Sequence, residues 1–130
     1  MKPLTAEWVA KAEGDCASLE REARARKNPN YDDVCFHAQQ CVEKYLKARL
    51  VEAGIGFKKI HDLEALLSLA TKVEPFWEAF RPDLAFLTEF AVEIRYPGDS
   101  ASRETARDAL KRCRRFRRAA REALGLKEGK

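Results

Sequence analysis

The stretch from Cys35 to Leu50 limits the possible folds of this chain more than any other. Its apolar residues recur at spacings of three and four, which places them on one broad side of an α-helix. The residues on that side are Val34, Ala38, Cys41, Tyr45 and Ala48, with Val42, Leu46 and Leu50 beside them. Because so wide an apolar side must build core, we place this helix at the centre of the fold.

Two polar rows run along the rest of the same helix. One row consists of His37, Gln40 and Lys44, and the other of Gln39, Glu43 and Lys47. Adjacent glutamines are unusual on a solvated face, where charged residues are the common choice, although glutamine is also a good helix former. Periodicity alone therefore leaves two interpretations open, an ordinary surface or a set of hydrogen-bonding groups that face a ligand or partner.

Capping residues and chain breaks delimit the first two helices. We expect the first helix to begin at Thr5, as its N-cap, and to run to about Lys27. Pro29 then interrupts the chain, since proline cannot continue a helix. Asn30 can cap the central helix, which we expect to reach about Ala53.

A short third helix is predicted after the glycines of residues 54–56, which end the central helix because glycine adopts left-handed conformations cheaply. Its apolar residues lie between Leu63 and Ala70. His61 and Asp62 stand at its start, where either side chain can bond exposed backbone amides. We favour this capping role for His61 over metal binding or acid–base chemistry.

The second half of the chain predicts two more main helices. Pro82 suits the first turn of the fourth, which must end near Tyr96 because proline and glycine follow. Ser102 is one of three possible caps of the last helix, and residues 127–130 are expected to form a frayed tail. The inward residues of that last helix are Ala106, Ala109 or Leu110, Cys113, Phe116, Ala120 and Leu124.

Length and composition agree with one small helical domain over residues 1–130. The chain is 45% hydrophobic and 35% charged, and its size allows one core but not two. The prediction is an all-α fold, an antiparallel up-down bundle of four main helices plus a short one. Apolar runs are too short for a membrane span and no signal-peptide core is present, so we expect a cytoplasmic protein.

The four cysteines are Cys16, Cys35, Cys41 and Cys113. Each falls on or beside an apolar stripe, and none is paired in a Cys-x-x-Cys motif, so we expect buried thiols in a reducing compartment. A disulfide between two neighbouring helices stays open. The sequence predicts no metal site and no cofactor.

Positive charge is concentrated at the C-terminal end. Residues 1–100 contain 14 Lys or Arg against 17 Asp or Glu, whereas residues 101–130 contain 11 against 4. Most of the excess comes from the run between Lys111 and Arg121. Such a run attracts phosphates, RNA or acidic partners, or it is a solvated face with ion pairs to the first helices. Both interpretations stay open.

Three motifs together resemble the HEPN domain family. They are the glutamine-pair helix from Phe36 to Lys47, the His61-Asp62-Leu63 helix start, and Ile94-Arg95-Tyr96-Pro97-Gly98. The resemblance implies a small antiparallel helical bundle that usually dimerises and is often encoded beside a minimal nucleotidyltransferase. It also implies an association with nucleotide binding, and some family members are toxin ribonucleases.

Arg95 is the leading candidate site residue, because a guanidinium presents a planar fork of donors that matches a phosphate and the family places a functional arginine there. Tyr96 beside it could stack on a base. A cation near a helix C-terminus also has a purely structural interpretation. The toxin ribonucleases carry a histidine separated from this arginine by four to six residues, but here the corresponding positions are Ser100, Ala101 and Ser102.

Two functions therefore remain. The first is a dimeric interaction module that binds a nucleotide, RNA phosphate or a nucleotidyltransferase subunit, with Arg95, Gln40 and Lys44 toward a shared cleft. It could form part of a toxin–antitoxin type of two-component system. The alternative is a metal-independent toxin ribonuclease that uses Arg95 from two protomers. His37 could replace the missing histidine, but a hydrogen-bonded imidazole inside a bundle is its commoner fate.

A homodimer is expected on a further ground. Five aromatic residues follow one another closely, and one small core does not readily absorb that much aromatic surface. They are Phe76, Trp77, Phe80, Phe86 and Phe90.

Overall fold

The computed structural model describes residues 1–92 and 96–127, so most of the predicted tail of residues 127–130 lies outside the described residues. Its five α-helices are α1 (Pro3–Ala23), α2 (Tyr31–Glu52), α3 (Leu63–Ala70), α4 (Arg81–Leu87) and α5 (Arg103–Ala123). Two short 3₁₀ helices, Pro75–Phe80 and Thr88–Phe90, precede and follow α4. The two described ranges contain no β-strand, and the predicted all-helical bundle is confirmed.

Helix α2 lies at the centre, as its broad apolar side predicts. Contacts pair the start of α1 with the end of α2 and the end of α1 with the start of α2, so these helices are antiparallel. Lys2 contacts Glu52, and Glu22 contacts Asn30. Helix α5 packs on another side of α2, while α3 and α4 close the bundle. The predicted inward side of α2 from Val34 to Leu50 is buried throughout.

Three helices carry the caps that their first residues predict. The side chain of Asn30 accepts a hydrogen bond from the Asp33 amide at the start of α2, and Ser102 accepts one from Thr105 at the start of α5. Asp62 caps α3. The helix ends that determine where the connections lie are therefore encoded locally.

Helix α1 differs from its prediction at both ends. It begins at Pro3 rather than after Thr5, because proline is well suited to the first helical turn. Thr5 is fully buried, and its hydroxyl donates to Glu52 at 2.9 Å. The helix ends at Ala23, before the predicted Lys27, and Asn28 then adopts a left-handed conformation with φ of 47°.

Glycine ends α2, but only one of the two predicted glycines has the left-handed conformation. Gly54 has a φ of 71°, whereas Gly56 does not have a positive φ. A single left-handed residue is enough to reverse the chain after a helix. The connection to α3 therefore uses one left-handed glycine rather than two.

The fourth helix is shorter than predicted. We expected it to end near Tyr96, but α4 ends at Leu87 and the 3₁₀ turn ends at Phe90. The hydroxyl of Thr88 explains the early end, because it accepts a hydrogen bond from the Leu63 amide and donates one to the His61 carbonyl. These two hydrogen bonds fix Thr88 to the start of α3, at the point where the α-helix changes to a 3₁₀ turn.

Most of the aromatic surface of residues 76–90 packs against the core. Trp77 and Phe80 meet Phe116 edge to face, with ring centroids 5.0 and 5.3 Å apart. Phe76 is the exception and is 92% exposed. Less aromatic surface is therefore left for a second protomer to cover than the sequence indicates, and the homodimer stays a prediction.

All four cysteines are buried, as their positions on or beside apolar stripes predict, and Cys16, Cys41 and Cys113 are free thiols. Hydrogen bonding with Cys113 and burial both raise the pKa of the Cys41 thiol well above its usual value, while burial raises the pKa of Cys16 to about 11. Among the helices described, none is long and apolar enough to cross a bilayer.

Candidate functional site

The first polar row of α2 meets a carboxylate on α1. Asp15 is buried, and its two oxygens accept from His37 Nδ1 at 2.7 Å and Lys44 Nζ at 2.5 Å. Two predicted site residues thus share one partner that the sequence analysis did not identify. Asp15 lies three residues after Ala12 and four before Leu19, so its inward position could have been read from the spacing.

Gln40 connects the two polar rows. Its amide nitrogen donates to the side-chain oxygen of its neighbour Gln39 at 2.6 Å. Gln39 is fully buried and donates in turn to Glu43 at 2.9 Å and to the His61 carbonyl at 3.3 Å. The adjacent glutamines are therefore links in one hydrogen-bond chain, from a half-buried position into the core.

The second polar row is core, not surface. Gln39, Glu43 and Lys47 are at most 5% exposed. Lys47 Nζ lies 3.0 Å from Glu43 and over the rings of Trp8 and Phe57, at 5.4 and 5.8 Å from their centroids. A buried ion pair with extra cation–π contacts can tolerate loss of water, which explains why charged residues occur here.

Glu43 remains ionised at this depth because three donors surround it. Burial alone would raise the pKa of its carboxyl, but hydrogen bonds from Gln39, Lys47 and His61 outweigh that effect and lower the pKa below its usual value. Its oxygens receive His61 Nδ1 at 3.0 and 3.1 Å. A buried carboxylate thus holds one nitrogen of an exposed ring.

His61 does not have the capping role that the sequence favoured. Asp62 caps α3, and the His61 ring turns to Glu43 instead, with 66% of its side chain exposed. Since Glu43 occupies Nδ1, Nε2 is the ring nitrogen left to exchange a proton with a ligand. Sequence alone did not predict this pair, because the two residues are on different elements.

Arg95, the leading candidate, lies outside the described residues, as do positions 93 and 94. Its neighbour Tyr96 is described and is 80% exposed, so its ring is open to solvent. The structure therefore brings His37 and Lys44 together at Asp15 and places Gln40 beside them. It presents Tyr96 separately, in the connection to α5.

The arginines of α5 are partly engaged in ion pairs with α1, as one of the two interpretations of this run predicted. Arg117 binds Glu13 through two hydrogen bonds of 2.6 and 2.8 Å, and Arg114 binds Glu20. Arg121 donates to the Tyr45 hydroxyl at 3.0 Å, and that hydroxyl donates to Glu13. One network therefore joins α1, α2 and α5.

Comparisons with known proteins agree with the motifs. The model of the HEPN domain matches residues 5–123. A protein of Methanocaldococcus jannaschii named "Putative toxin" is 32% identical over 96 residues, which are 69% of this chain and 61% of that protein. The chain thus spans about three fifths of this relative's length. The crystal structure of an archaeal HEPN homologue matches 95% of this chain and 99% of its own, with a TM-score of 0.70 and 23% identity.

Proposed function

Since the chain belongs to the HEPN domain family, we propose that it is a dimeric binding module for the phosphate of a nucleotide or RNA. We propose further that it works in the cytoplasm as one component of a toxin–antitoxin type of pair, with a minimal nucleotidyltransferase as the partner. The name of the M. jannaschii relative supports the toxin assignment. That relative is longer than the matched region, so its activity as a whole protein is not carried over.

The exposed ring of Tyr96 is the observation that carries the binding proposal. An aromatic side chain that is 80% exposed offers a face on which a base can stack. Arg95 precedes it in the chain and can hold a phosphate with its planar fork of donors. An aromatic residue and an arginine that are neighbours in the sequence are a minimal set for recognising a nucleotide.

Binding without cleavage follows from the protonation chemistry. Cleavage of RNA by its own 2′-hydroxyl requires one group to remove a proton and another to supply one, and arginine does neither at neutral pH. No histidine follows Arg95 at the spacing of the toxin ribonucleases. Ser102 does not compensate, since its hydroxyl caps α5 by accepting from the Thr105 amide at 3.1 Å.

The polar row of α2 is better suited to a partner surface than to phosphate. Asp15 offsets the positive charge of Lys44, so this lysine contributes little net attraction to an anion. Lys44 and His37 are nevertheless 22% and 24% exposed, and Gln40 lies in the same row. We assign these three side chains to hydrogen bonds with a second protomer or with the nucleotidyltransferase.

Fluorescence anisotropy with a labelled single-stranded RNA tests the binding proposal. Arg95→Ala should weaken binding strongly, and Arg95→Lys should recover only part because it keeps the charge but loses the fork. Tyr96→Ala should weaken binding, whereas the matched control Tyr96→Phe keeps the stacking face and should bind as the wild type does. Unchanged affinity for both Arg95→Ala and Tyr96→Ala would refute the assignment.

One observation favours the alternative, a metal-independent ribonuclease. The buried carboxylate of Glu43 holds His61 Nδ1, which is how an imidazole is oriented to act as a general base through Nε2. His61 could then supply the proton transfer that the Arg95 motif lacks. If the wild type cleaves RNA in EDTA and both Arg95→Ala and His61→Ala abolish that cleavage, the ribonuclease becomes the preferred function. We expect no cleavage by the wild type.

A further inference from the structure

Six of the nine basic residues of α5 lie along one face of the helix. They recur at spacings of three and four: Arg103, Arg107, Lys111, Arg114, Arg118 and Arg121. At 1.5 Å per residue this row is about 27 Å long, with one cation every 5–6 Å or so. A regular row of cations of this length differs from an ordinary solvated helix face, on which basic residues are placed irregularly.

Three of the depressions along this row are linked by shared residues. One of about 650 Å³ lies between α1 and α5, and one of about 480 Å³ lies at the N-terminal end of α5. A smaller one of about 260 Å³ lies between them. It shares Arg107 with the second depression, and Arg114 and Arg118 with the first. Together they form one continuous surface, which we call the arginine groove.

Positive charge in the arginine groove exceeds negative charge throughout. Among the residues in 1–92 and 96–127, the largest depression is lined by six arginines and by two glutamates, Glu13 and Glu20. Glu13 pairs with Arg117 and Arg121, and Glu20 pairs with Arg114. The end depression is lined by Arg26, Arg103 and Arg107 and by no carboxylate among the described residues.

The unpaired cations lie toward the N-terminal end of α5. Arg103, Arg107 and Lys111 form no ion pair with any residue in 1–92 or 96–127. Holding these like charges in one row costs free energy unless an anion lies between them. The arrangement fits a ligand that carries several regularly spaced negative charges.

An aromatic ring distinguishes nucleic acid from other polyanions. Tyr31, the first residue of α2, lines the end depression together with Arg103 and Arg107 and is half-buried. A tyrosine ring beside arginines can stack on a base while the guanidiniums hold the adjacent phosphates. An acidic peptide has the charge but no base for this ring to stack on.

We propose that the arginine groove binds the backbone of single-stranded RNA, with a base stacked on Tyr31 at one end. The groove is formed by α1, α5 and the start of α2, and does not use Arg95 or Tyr96. It is therefore a second RNA-binding surface, and it does not depend on the proposed function of the Arg95 segment. Recognition is by phosphate and stacking, without base sequence.

The salt dependence of RNA binding tests the groove directly. The triple variant Arg103→Ala, Arg107→Ala and Lys111→Ala removes three cations without breaking an ion pair among the described residues, so its fold should be intact. Affinity for a single-stranded RNA of about 15 nucleotides should fall at least tenfold or so at low salt. The slope of log affinity against log salt should become shallower by about 2, since each phosphate contact contributes roughly 0.7.

A matched control removes the same charge elsewhere. Lys58, Lys59 and Lys72 are exposed and form no ion pair with the described residues, so Lys58→Ala, Lys59→Ala and Lys72→Ala together lower the net charge equally. This variant should keep the wild-type slope. Equal losses in both triple variants would mean that net charge alone attracts RNA, which would overturn the groove.

Substitutions of Tyr31 and a second polyanion distinguish RNA from an acidic protein as the occupant of the groove. Tyr31→Ala should weaken RNA binding about tenfold while Tyr31→Phe retains it, because the ring provides the stacking face. Polyglutamate of matched charge should bind more weakly than RNA and be insensitive to Tyr31→Ala. Polyglutamate binding as tightly as RNA would replace the RNA proposal by an acidic protein partner. The groove proposal would also be refuted if Arg95→Ala abolished RNA binding while the triple variant of Arg103, Arg107 and Lys111 retained it.

Discussion

Replacing Glu43 by leucine should destabilise the protein strongly because it leaves Lys47 as a buried charge without a partner. Lys47 is 5% exposed, and its ammonium lies 3.0 Å from Glu43. Breaking a buried ion pair from one side costs about 3–5 kcal/mol. The cation–π contacts with Trp8 and Phe57 offset part of this, on the order of 1 kcal/mol each.

Removing both charges should restore much of the lost stability. Glu43→Leu with Lys47→Leu replaces the pair by apolar residues, a change that is often neutral or stabilising. Three smaller losses remain in the double variant. The cation–π contacts of Lys47 are lost, and apolar contact of a leucine at position 47 with the same two rings offsets part of that loss. Gln39 loses one acceptor, a cost of about 1 kcal/mol, and His61 loses a partner at an exposed position. We therefore expect the double variant to lie about 1–2 kcal/mol below the wild type.

Urea unfolding followed by circular dichroism measures these free energies. The single variant must unfold at a clearly lower urea concentration than the double variant. If Glu43→Leu and the double variant were equally stable, the charge on Lys47 would not be the source of the cost. The reasoning from the buried pair would then be wrong, and packing at position 43 would have to explain the loss.

Three further predictions use smaller changes. Gln40→Ala and Lys44→Ala should lower the melting temperature less than Leu46→Ala does. Leu46 is fully buried and its truncation costs about 2–5 kcal/mol, whereas the ion pair of Lys44 is partly exposed. Equal losses of melting temperature would make the polar row structural. Asn30→Ala should cost about 1 kcal/mol in urea unfolding by removing the cap of α2, and a loss below the error of the measurement would contradict that role. Burial raises the pKa of Glu13, but hydrogen bonds from Arg117 and Tyr45 and the charges of Arg117 and Arg121 outweigh burial and lower this pKa below 4.5. The contribution of Glu13 to the free energy of unfolding is therefore present above pH 4.5 and is lost as the pH falls through the folded-state pKa. Unfolding free energies measured from pH 6 or so down to about 3 should therefore fall less steeply in Glu13→Gln than in the wild type, and identical slopes would refute the linkage.

The fold could be predicted from this sequence because its signals are local. The apolar side of α2, the caps Asn30 and Ser102, and the glycine after α2 each act within a few residues. Two of the boundaries that were wrong, at Thr5 and near Tyr96, involve contacts between distant segments. Thr5 binds Glu52, and Thr88 binds the start of α3. Such contacts leave no periodic trace.

The sequence predicted several residues of the candidate site, but not the contacts between their side chains. Spacing placed His37 and Lys44 in one row, but it could not identify Asp15 as the carboxylate that holds both. The row of Glu43 was expected to offer hydrogen-bonding groups, and its burial was not foreseen. A polar residue on a central helix can face water or a second helix with the same periodicity, so the packing partner decides between them.

The network around Glu13 has a consequence for the order of folding. Helices α1 and α2 are neighbours in the chain and meet through contacts that close short loops, such as Glu22 with Asn30 eight residues away. Glu13 and Arg117 are separated by 104 residues, and closing so long a loop carries a larger entropic cost. We expect the α1–α2 hairpin to form first and α5 to dock last. The arginine groove would then exist only in the completed fold, because one of its walls arrives with the final helix.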